Sequence, residues 1–226
     1  MKIGILVTGH PPDELHDQFG AYDAMFRALL DGNGFDFETF AVVDNQFPES
    51  AYQADGWIIT GSRHGAYEDH VWIPPLEDLI REIQKSGNPL IGVCFGHQII
   101  AQALGGRVEK FKGGWSVGRT EYHMGERTIA INAWHQDQVV EKPADADVFA
   151  STSFCANAGL VYGDSIWTIQ PHPEYGSDFI SALIEKRGKG VVPDTLLAEA
   201  TANLNRPTDR MEIAGVMADF FRKERA

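Results

Sequence analysis

The sequence predicts an α/β fold in which a mostly parallel central sheet carries helices on both faces. Two observations predict it. Residues 2–7, 56–59 and 90–93 are apolar runs of strand length, without the polar alternation of a half-exposed strand. Between them, residues 19–30 and 74–86 place apolar side chains at helical spacing. Strand and helix alternating in this way lay parallel strands in one layer and cover them from both sides. Ligands of such sheets bind beyond the carboxyl ends of the strands, so chemistry is expected in the loops that follow residues 59 and 93.

Residues 2–7 form the first strand; the run is short for an export signal, and Pro11-Pro12-Asp13-Glu14 stands where a cleavage region would be. No stretch approaches the roughly 20 apolar residues of a membrane span. His10 reads as a solvated loop histidine, with a place near a ligand as the alternative. Phe19, Tyr22, Met25, Phe26, Leu29 and Leu30 set one helical stripe, closed by Gly32-Asn33-Gly34. Residues 35–43 are the next strand and residues 46–55 an irregular polar stretch. The second helix buries Leu76, Leu79, Ile80 and Ile83, and a third runs from Ile99 to the stop at Gly105-Gly106. Residues 107–111, 117–124 and 127–132 then alternate between Gly-rich turns, which predicts a small antiparallel excursion. Residues 134–138 cross the pocket, and residues 147–153, 158–162 and 166–170 are the closing strands, followed by a helix over 177–187. The sequence divides into a main domain, residues 1–187, and a helical extension packed on it, residues 188–226. In that extension Pro207-Thr208-Asp209 caps a last helix with Ile213, Val216, Met217, Phe220 and Phe221 on one side, a face that packs on the domain or docks a partner.

The chemistry centres on Cys94. Leu90 to Val93 is a covered strand, the helix begins just beyond, and Gly92 and Gly96 flank the cysteine between them. Gly-x-Cys-x-Gly is a nucleophile elbow: the tight turn lifts the middle side chain above the sheet, and the glycines permit the close approach of strand and helix. A thiol at a helix N-terminus is also drawn toward thiolate by the local positive potential. A small core cysteine before a helix is the alternative. Far downstream stands Gln170-Pro171-His172-Pro173-Glu174-Tyr175. The prolines are expected to hold this segment extended, which puts His172 and Glu174 on one side. An imidazole with a carboxylate beside it is the base and orienter that a nucleophilic thiol needs.

Gly92-Val93-Cys94-Phe95-Gly96-His97-Gln98 together with Pro171-His172-Pro173-Glu174 resembles the class I glutamine amidotransferases, the Cys-His-Glu glutaminases. Ile59-Thr60-Gly61-Ser62 is similar to that family's oxyanion loop, although relatives often carry two glycines and a proline where this chain reads Ser62-Arg63-His64-Gly65. Trp134-His135-Gln136-Asp137-Gln138 resembles the segment lying over glutamine in the glutaminase domain of GMP synthetases, and Asn157-Ala158-Gly159-Leu160, before the last strand, also resembles that family. The resemblance spans residues 1–187. It implies Cys94, His172 and Glu174 as the triad, the amides of Gly61 and Phe95 as the oxyanion hole, and Gln98 at the glutamyl end of the substrate, with His135 and Asp137 as weaker candidates there. His97 is expected to be structural.

Composition excludes much else. The 226 residues suffice for one generous domain, and a formal net charge of −13 argues against nucleic acid or an anionic membrane as partner. Two cysteines, Cys94 and Cys155, make no disulfide framework and fit a reducing, cytoplasmic setting; Cys155 reads as a packed strand residue. There is no P-loop, no Cys-x-x-Cys and no His-Glu-x-x-His, so neither metal nor cofactor is expected. An α/β-hydrolase would place its acid before its histidine, whereas Glu174 follows His172. Three readings stand: an autonomous hydrolase of γ-glutamyl amides, an ammonia-donating subunit of a two-chain synthetase, and a catalytically silent binding or regulatory domain. The intact Cys, His and Glu weigh against the last. The resemblance uses most of these 226 residues, so ammonia donation is expected to involve a second polypeptide, and otherwise hydrolysis itself is the expected job.

Overall fold

A computed structural model describes residues 1–225. Its strands are β1 (Lys2–Leu6), β2 (Asp36–Phe40), β3 (Gly56–Ile59), β4 (Leu90–Val93), β5 (Arg107–Lys110) and β6 (Ser116–Met124). They continue with β7 (Arg127–His135), β8 (Asp137–Glu141), β9 (Asp147–Ser151), β10 (Gly159–Tyr162) and β11 (Ile166–Ile169). The α-helices are α1 (Asp13–Phe19), α2 (Tyr22–Leu29), α3 (Ile73–Ser86), α4 (Phe95–Ala103), α5 (Ser177–Leu183), α6 (Asp194–Asn203) and α7 (Arg210–Arg222). Nine strands form one sheet in the order β2-β1-β3-β4-β11-β10-β9-β6-β7. The pairs β2–β1, β1–β3, β3–β4 and β4–β11 are parallel, and every pair from β11 to β7 is antiparallel.

The parallel half has the architecture expected. All four residues of β3, β4 and β11 are buried, as strands covered on both faces must be. On one face, Trp57, Ile59 and Leu90 pack with Leu76, Ile80 and Ile83 of α3 and Ile99 and Ile100 of α4. On the other, Ile3, Ile5, Ile58 and Ile91 pack with Phe26 and Leu29 of α2 and Ile213, Met217 and Phe221 of α7. Each such side chain, fully buried, contributes about 1.5–3 kcal/mol of transfer free energy.

The antiparallel part differs from its expected form. Segments 107–111, 117–124 and 127–132 do not make one excursion. β6 and β7 extend the main sheet, whereas β5 pairs with β8 as a separate two-stranded ribbon. Alternation shows that a segment is a strand; the partner depends on tertiary register, which alternation does not encode. Residues 134–138 accordingly divide between the end of β7 and the start of β8.

Smaller differences have local causes. The stripe over residues 19–30 is two helices, because Gly20 at φ +78° turns the chain between Phe19 and Tyr22. The strand expected to reach residue 43 ends at Phe40, and Val42–Asp44 forms a 3₁₀ turn. The α-helix expected over 177–187 changes at Ile184–Gly188 into a π-helical turn. Cys155 lies in the loop between β9 and β10 and is buried there. Asp209 precedes α7 without making a side-chain cap. Its N–H donates to Ala130 O and its Oδ2 accepts from Ala130 N–H, both at 2.7 Å, so it covers the open edge of β7.

Because α7 supplies one face of the core, truncating it from within should unfold the parallel half. Phe221→Ala removes a ring that is 2% exposed and should cost about 3–5 kcal/mol, read as a lowered urea midpoint. An unchanged midpoint would mean that the helix contributes no core.

Candidate active site

Cys94 follows β4 directly and stands at the N-terminus of α4. Its backbone adopts φ +54° and ψ −104°, a region that non-glycine residues rarely occupy and that costs roughly 1–3 kcal/mol. The surroundings enforce it. A Cβ on Gly92 would lie 2.6 Å from Gly96 O, and one on Gly96 would collide with Ile59 O, so β3, β4 and α4 meet only because both residues are glycine. The Gly96 N–H donates to Thr60 O (3.1 Å) and the Cys94 N–H to Ile169 O (2.9 Å), tying the elbow to the strands on either side.

β11 runs parallel beside β4, with Ile169 opposite Val93, and so delivers the next residues to the elbow. His172 and Glu174 are buried, and His172 Nδ1 meets Glu174 Oε1 at 2.7 Å. They share a side through a turn, not through the extended chain expected: Tyr175 N–H returns to His172 O (3.3 Å) across Pro173 and Glu174. Tyr175 stacks on the imidazole, centroids 3.9 Å apart and rings within 5° of parallel, which fixes the ring plane. The turn is clamped from remote elements: His172 N–H donates to Asn132 O (2.8 Å), Asn132 Nδ2 to Tyr175 O (3.0 Å) and Arg210 Nε to Pro173 O (2.9 Å). Sequence reading missed Asn132, Tyr175 and Arg210; only the adjacency of Tyr175 to the motif hinted at any of them.

Burial lowers the proton affinity of His172, but the Cys94 and Glu174 charges more than offset it and raise the pKa to about 10. The one side-chain hydrogen bond of full geometry is to Glu174, so coupling to Cys94 is chiefly electrostatic.

Gly61 is at the centre as well. A Cβ there would lie 3.0 Å from His172 Cε1 and 3.7 Å from the Cys94 Cβ. Thr60 O is engaged by Gly96 N–H and Thr8 Oγ1, so the Gly61 N–H, trans across that peptide, points the opposite way. Among the described residues neither Gly61 N–H nor Phe95 N–H has an acceptor.

A cleft of about 380 Å³ opens over Cys94 and His172 and is also lined by Gln98, His135 and Asp137. Gln98 Nε2 donates to Asp137 O (3.0 Å) and Gln170 Oε1 (3.1 Å), which leaves its Oε1 to offer a ligand. His135 is buried, and burial pushes its pKa down to about 3, so the ring is neutral. Its Nδ1 faces Asp137 O at 3.2 Å and must carry the proton; Nε2, without a partner, is then an acceptor. Asp137 Oδ2 accepts from Tyr67 Oη (3.1 Å), and burial raises its pKa. His97 is buried with Nδ1 against Thr168 Oγ1 (2.8 Å) and does not line the cleft. His10 lines the mouth and bonds Asp44 Oδ2 at 2.8 Å. His64, Glu68 and His70 gather their ligand-type atoms within 4.8 Å of one another, a cluster with the donors of a metal site.

The arrangement defines a class first: an α/β protein with a thiol on an elbow, facing an oriented imidazole in a cleft at the sheet's carboxyl edge. The family follows from comparison. Residues 21–185 match the model of the glutamine amidotransferase class-I family, and the chain belongs to it. It is 34% identical to gamma-glutamyl peptidase 4 of Arabidopsis thaliana over 74% of this chain and 73% of that one. It is also 34% identical to a glutamine-hydrolyzing GMP synthase component of Methanospirillum hungatei, over 45% of this chain and 58% of that one. Among solved structures, a glutamine amido transferase from Methylobacillus flagellatus superposes with a TM-score of 0.77 at 19% identity, covering 98% of this chain and 91% of that one. Its relatives make the chain an enzyme of the glutamine amidotransferase or hydrolase kind. No helix among the described residues is long and apolar enough to cross a membrane.

The shifted histidines fix the sign of a pH dependence. His172, raised from 6.5 to about 10, stabilises the fold fully below the unfolded value, and that contribution is lost as pH climbs from about 6.5 through 10. His135, depressed to about 3, opposes folding as pH falls below 6.5. Melting temperature should therefore decline on both sides, and His172→Gln should flatten the alkaline limb alone. An alkaline limb unchanged by His172→Gln would deny the imidazolium.

Proposed function

We propose that the chain hydrolyses the γ-amide bond of glutamine or of another γ-glutamyl compound through a thioester on Cys94. The observation that carries this is the strained elbow cysteine held against the buried His172–Glu174 pair, with unengaged N–H groups of Gly61 and Phe95 alongside. The Cys94 thiolate attacks the γ-carbonyl, forming a C–S bond and an oxyanion that the Gly61 and Phe95 N–H groups stabilise. Collapse breaks the C–N bond while the His172 imidazolium gives its proton to the departing ammonia or amine. The neutral imidazole then takes a proton from water, whose oxygen attacks the thioester. The C–S bond breaks, glutamate leaves and the thiolate is restored. Glu174 orients the ring and stabilises its charge throughout.

Gln98 Oε1, His135 Nε2 and the Asp137 carboxylate are acceptors suited to the α-ammonium of a glutamyl group. Arg63, Lys110 and Arg187 stand along the same cleft and suit carboxylates of the substrate. Similarity to a γ-glutamyl peptidase over three quarters of both chains supports autonomous hydrolysis with an amine or peptide leaving group. Similarity to a GMP synthase component supports the second reading, in which a separate synthetase polypeptide consumes the ammonia. The cysteine usage supports a cytoplasmic setting for either.

Cys94→Ala should abolish turnover with the fold intact, and His172→Ala should cost orders of magnitude. Glu174→Gln should cost less, since the imidazole keeps its place at the thiol. A glutamine-like electrophile should label Cys94 and spare Cys155, whose pKa burial pushes to about 12. Near wild-type activity in Cys94→Ala would end the thioester reading.

Steady-state kinetics of the isolated chain on glutamine and several γ-glutamyl compounds separate the two readings. Efficient turnover of one compound without a partner is expected. An incomplete oxyanion hole would instead lower every rate by about 10²–10³-fold, and rescue by an added synthetase would establish the ammonia-donating role.

A further inference from the structure

The loop beyond Gly61 carries a group of side chains that the reaction above does not use. Glu68 Oε2 stands 2.8 Å from His70 Nε2 and 3.4 Å from His64 Nδ1, and each of the three residues offers one ligand-type atom within 4.8 Å of the others. We propose that His64, Glu68 and His70 form a binding site for a divalent first-row transition metal of the zinc class, bordering the mouth of the cleft. Two imidazole nitrogens and one carboxylate oxygen are the donor set that suits such ions, and three protein ligands leave one position open. Donors about 2.0–2.2 Å from a zinc ion stand a little over 3 Å from each other, so only small side-chain adjustments separate this cluster from coordination.

The backbone is folded in a way that presents these donors. His64 N–H donates to Ser62 Oγ (3.1 Å), Glu68 N–H to Gly65 O (3.0 Å) and His70 N–H to Glu68 O (3.0 Å). The His70 ring stacks on Trp72, centroids 5.8 Å apart and planes within 11°, and Trp72 is itself buried against Phe95. A net charge of −13 draws cations to the chain as a whole, against which the neighbouring Arg63 is a local cost. His64 and Glu68 line the cleft while His70 does not, so the open position would lie on the cleft side. The order His64-x-x-x-Glu68-x-His70 matches none of the zinc motifs sought in the sequence, because the ligands are gathered by a turn and not by one helix face.

The inference is independent of the proposed hydrolysis, and its test does not need turnover. Chelator-treated full-length chain, wild type and Cys94→Ser, is titrated with zinc chloride by calorimetry, and cobalt chloride is added in parallel to read the visible spectrum. One ion per chain is expected in both, with a cobalt spectrum free of thiolate charge transfer. His70→Ala and Glu68→Gln should each weaken binding by more than the roughly 10–100-fold that even an outer-shell partner commands, with circular dichroism unchanged. Binding to wild type no tighter than to His70→Ala would reduce the cluster to hydrogen bonds alone. Binding lost in Cys94→Ser, with a thiolate band in the wild type, would put the metal on the catalytic pair and overturn the assignment.

Discussion

The parallel pairing of β11 with β4 is the constraint on which the site depends. In sequence, Cys94 and His172 are separated by the whole antiparallel half of the sheet, and this ladder brings them together. The register is specified by hydrophobic content. Both strands are buried throughout, and a slip of one residue would exchange side chains between two differently packed faces. One further bond, Cys94 N–H to Ile169 O, carries the ladder into the elbow, so the Cys94 thiol and the His172 imidazole are positioned by the same sheet edge.

Two kinds of support then hold the two halves of the site. The elbow is held by close approach: Gly92, Gly96 and Ile59 leave no room for Cys94 to relax to negative φ without parting α4 from the sheet. The His172 turn is held by hydrogen bonds from elsewhere, through Asn132 of β7 and Arg210 of α7. Since α7 is also one face of the core, the C-terminal helix links global stability to the placement of the His172 turn. That gives the last helix work within this chain, beyond the docking surface its amphipathic pattern also suggested.

What was legible in the sequence was what glycine, proline and apolar runs dictate locally. The elbow can be read because its flanking glycines have no substitute at that packing distance. The His-Pro-Glu segment can be read because its members are adjacent, even though a turn and not extension brings them together. Illegible were features that depend on partners: the pairing of β5 with β8, Asp209 bound to the β7 edge, and Asn132 beneath the histidine. The break at Gly20 was hidden by a stripe that continues across it, since helical spacing is insensitive to a single residue at positive φ. Gln98, His135 and Asp137 do converge on the cleft, but their polarity, two spare acceptors and one partly buried carboxylate, emerges only from their hydrogen bonds.

The loop after β3 differs from these supports in what it is free to do. Gly61 is confined by Cys94 and His172, and Ser62 is tied back to Thr8 O at 2.7 Å, so the first residues of the loop cannot drift from the elbow. Among the described residues, the side chains of residues 63–70 make no hydrogen bond to Cys94 or to the His172 turn; outward from the loop, Tyr67 Oη donates to Asp137 Oδ2 and Ala66 O accepts from Gln102 Nε2 of α4 at 2.7 Å. Arg63, His64, Tyr67 and Glu68 nonetheless line the cleft. The structure thus separates two tasks. Strand ladder, elbow and clamped turn fix the placement of the thiol and the imidazole, while Arg63, His64, Gly65, Tyr67 and Glu68 border the cleft above them. Exposed side chains there, such as Arg63 and Glu68, can change in charge and bulk without breaking a hydrogen bond to the thiol or the imidazole, while Ala66 anchors the loop to α4.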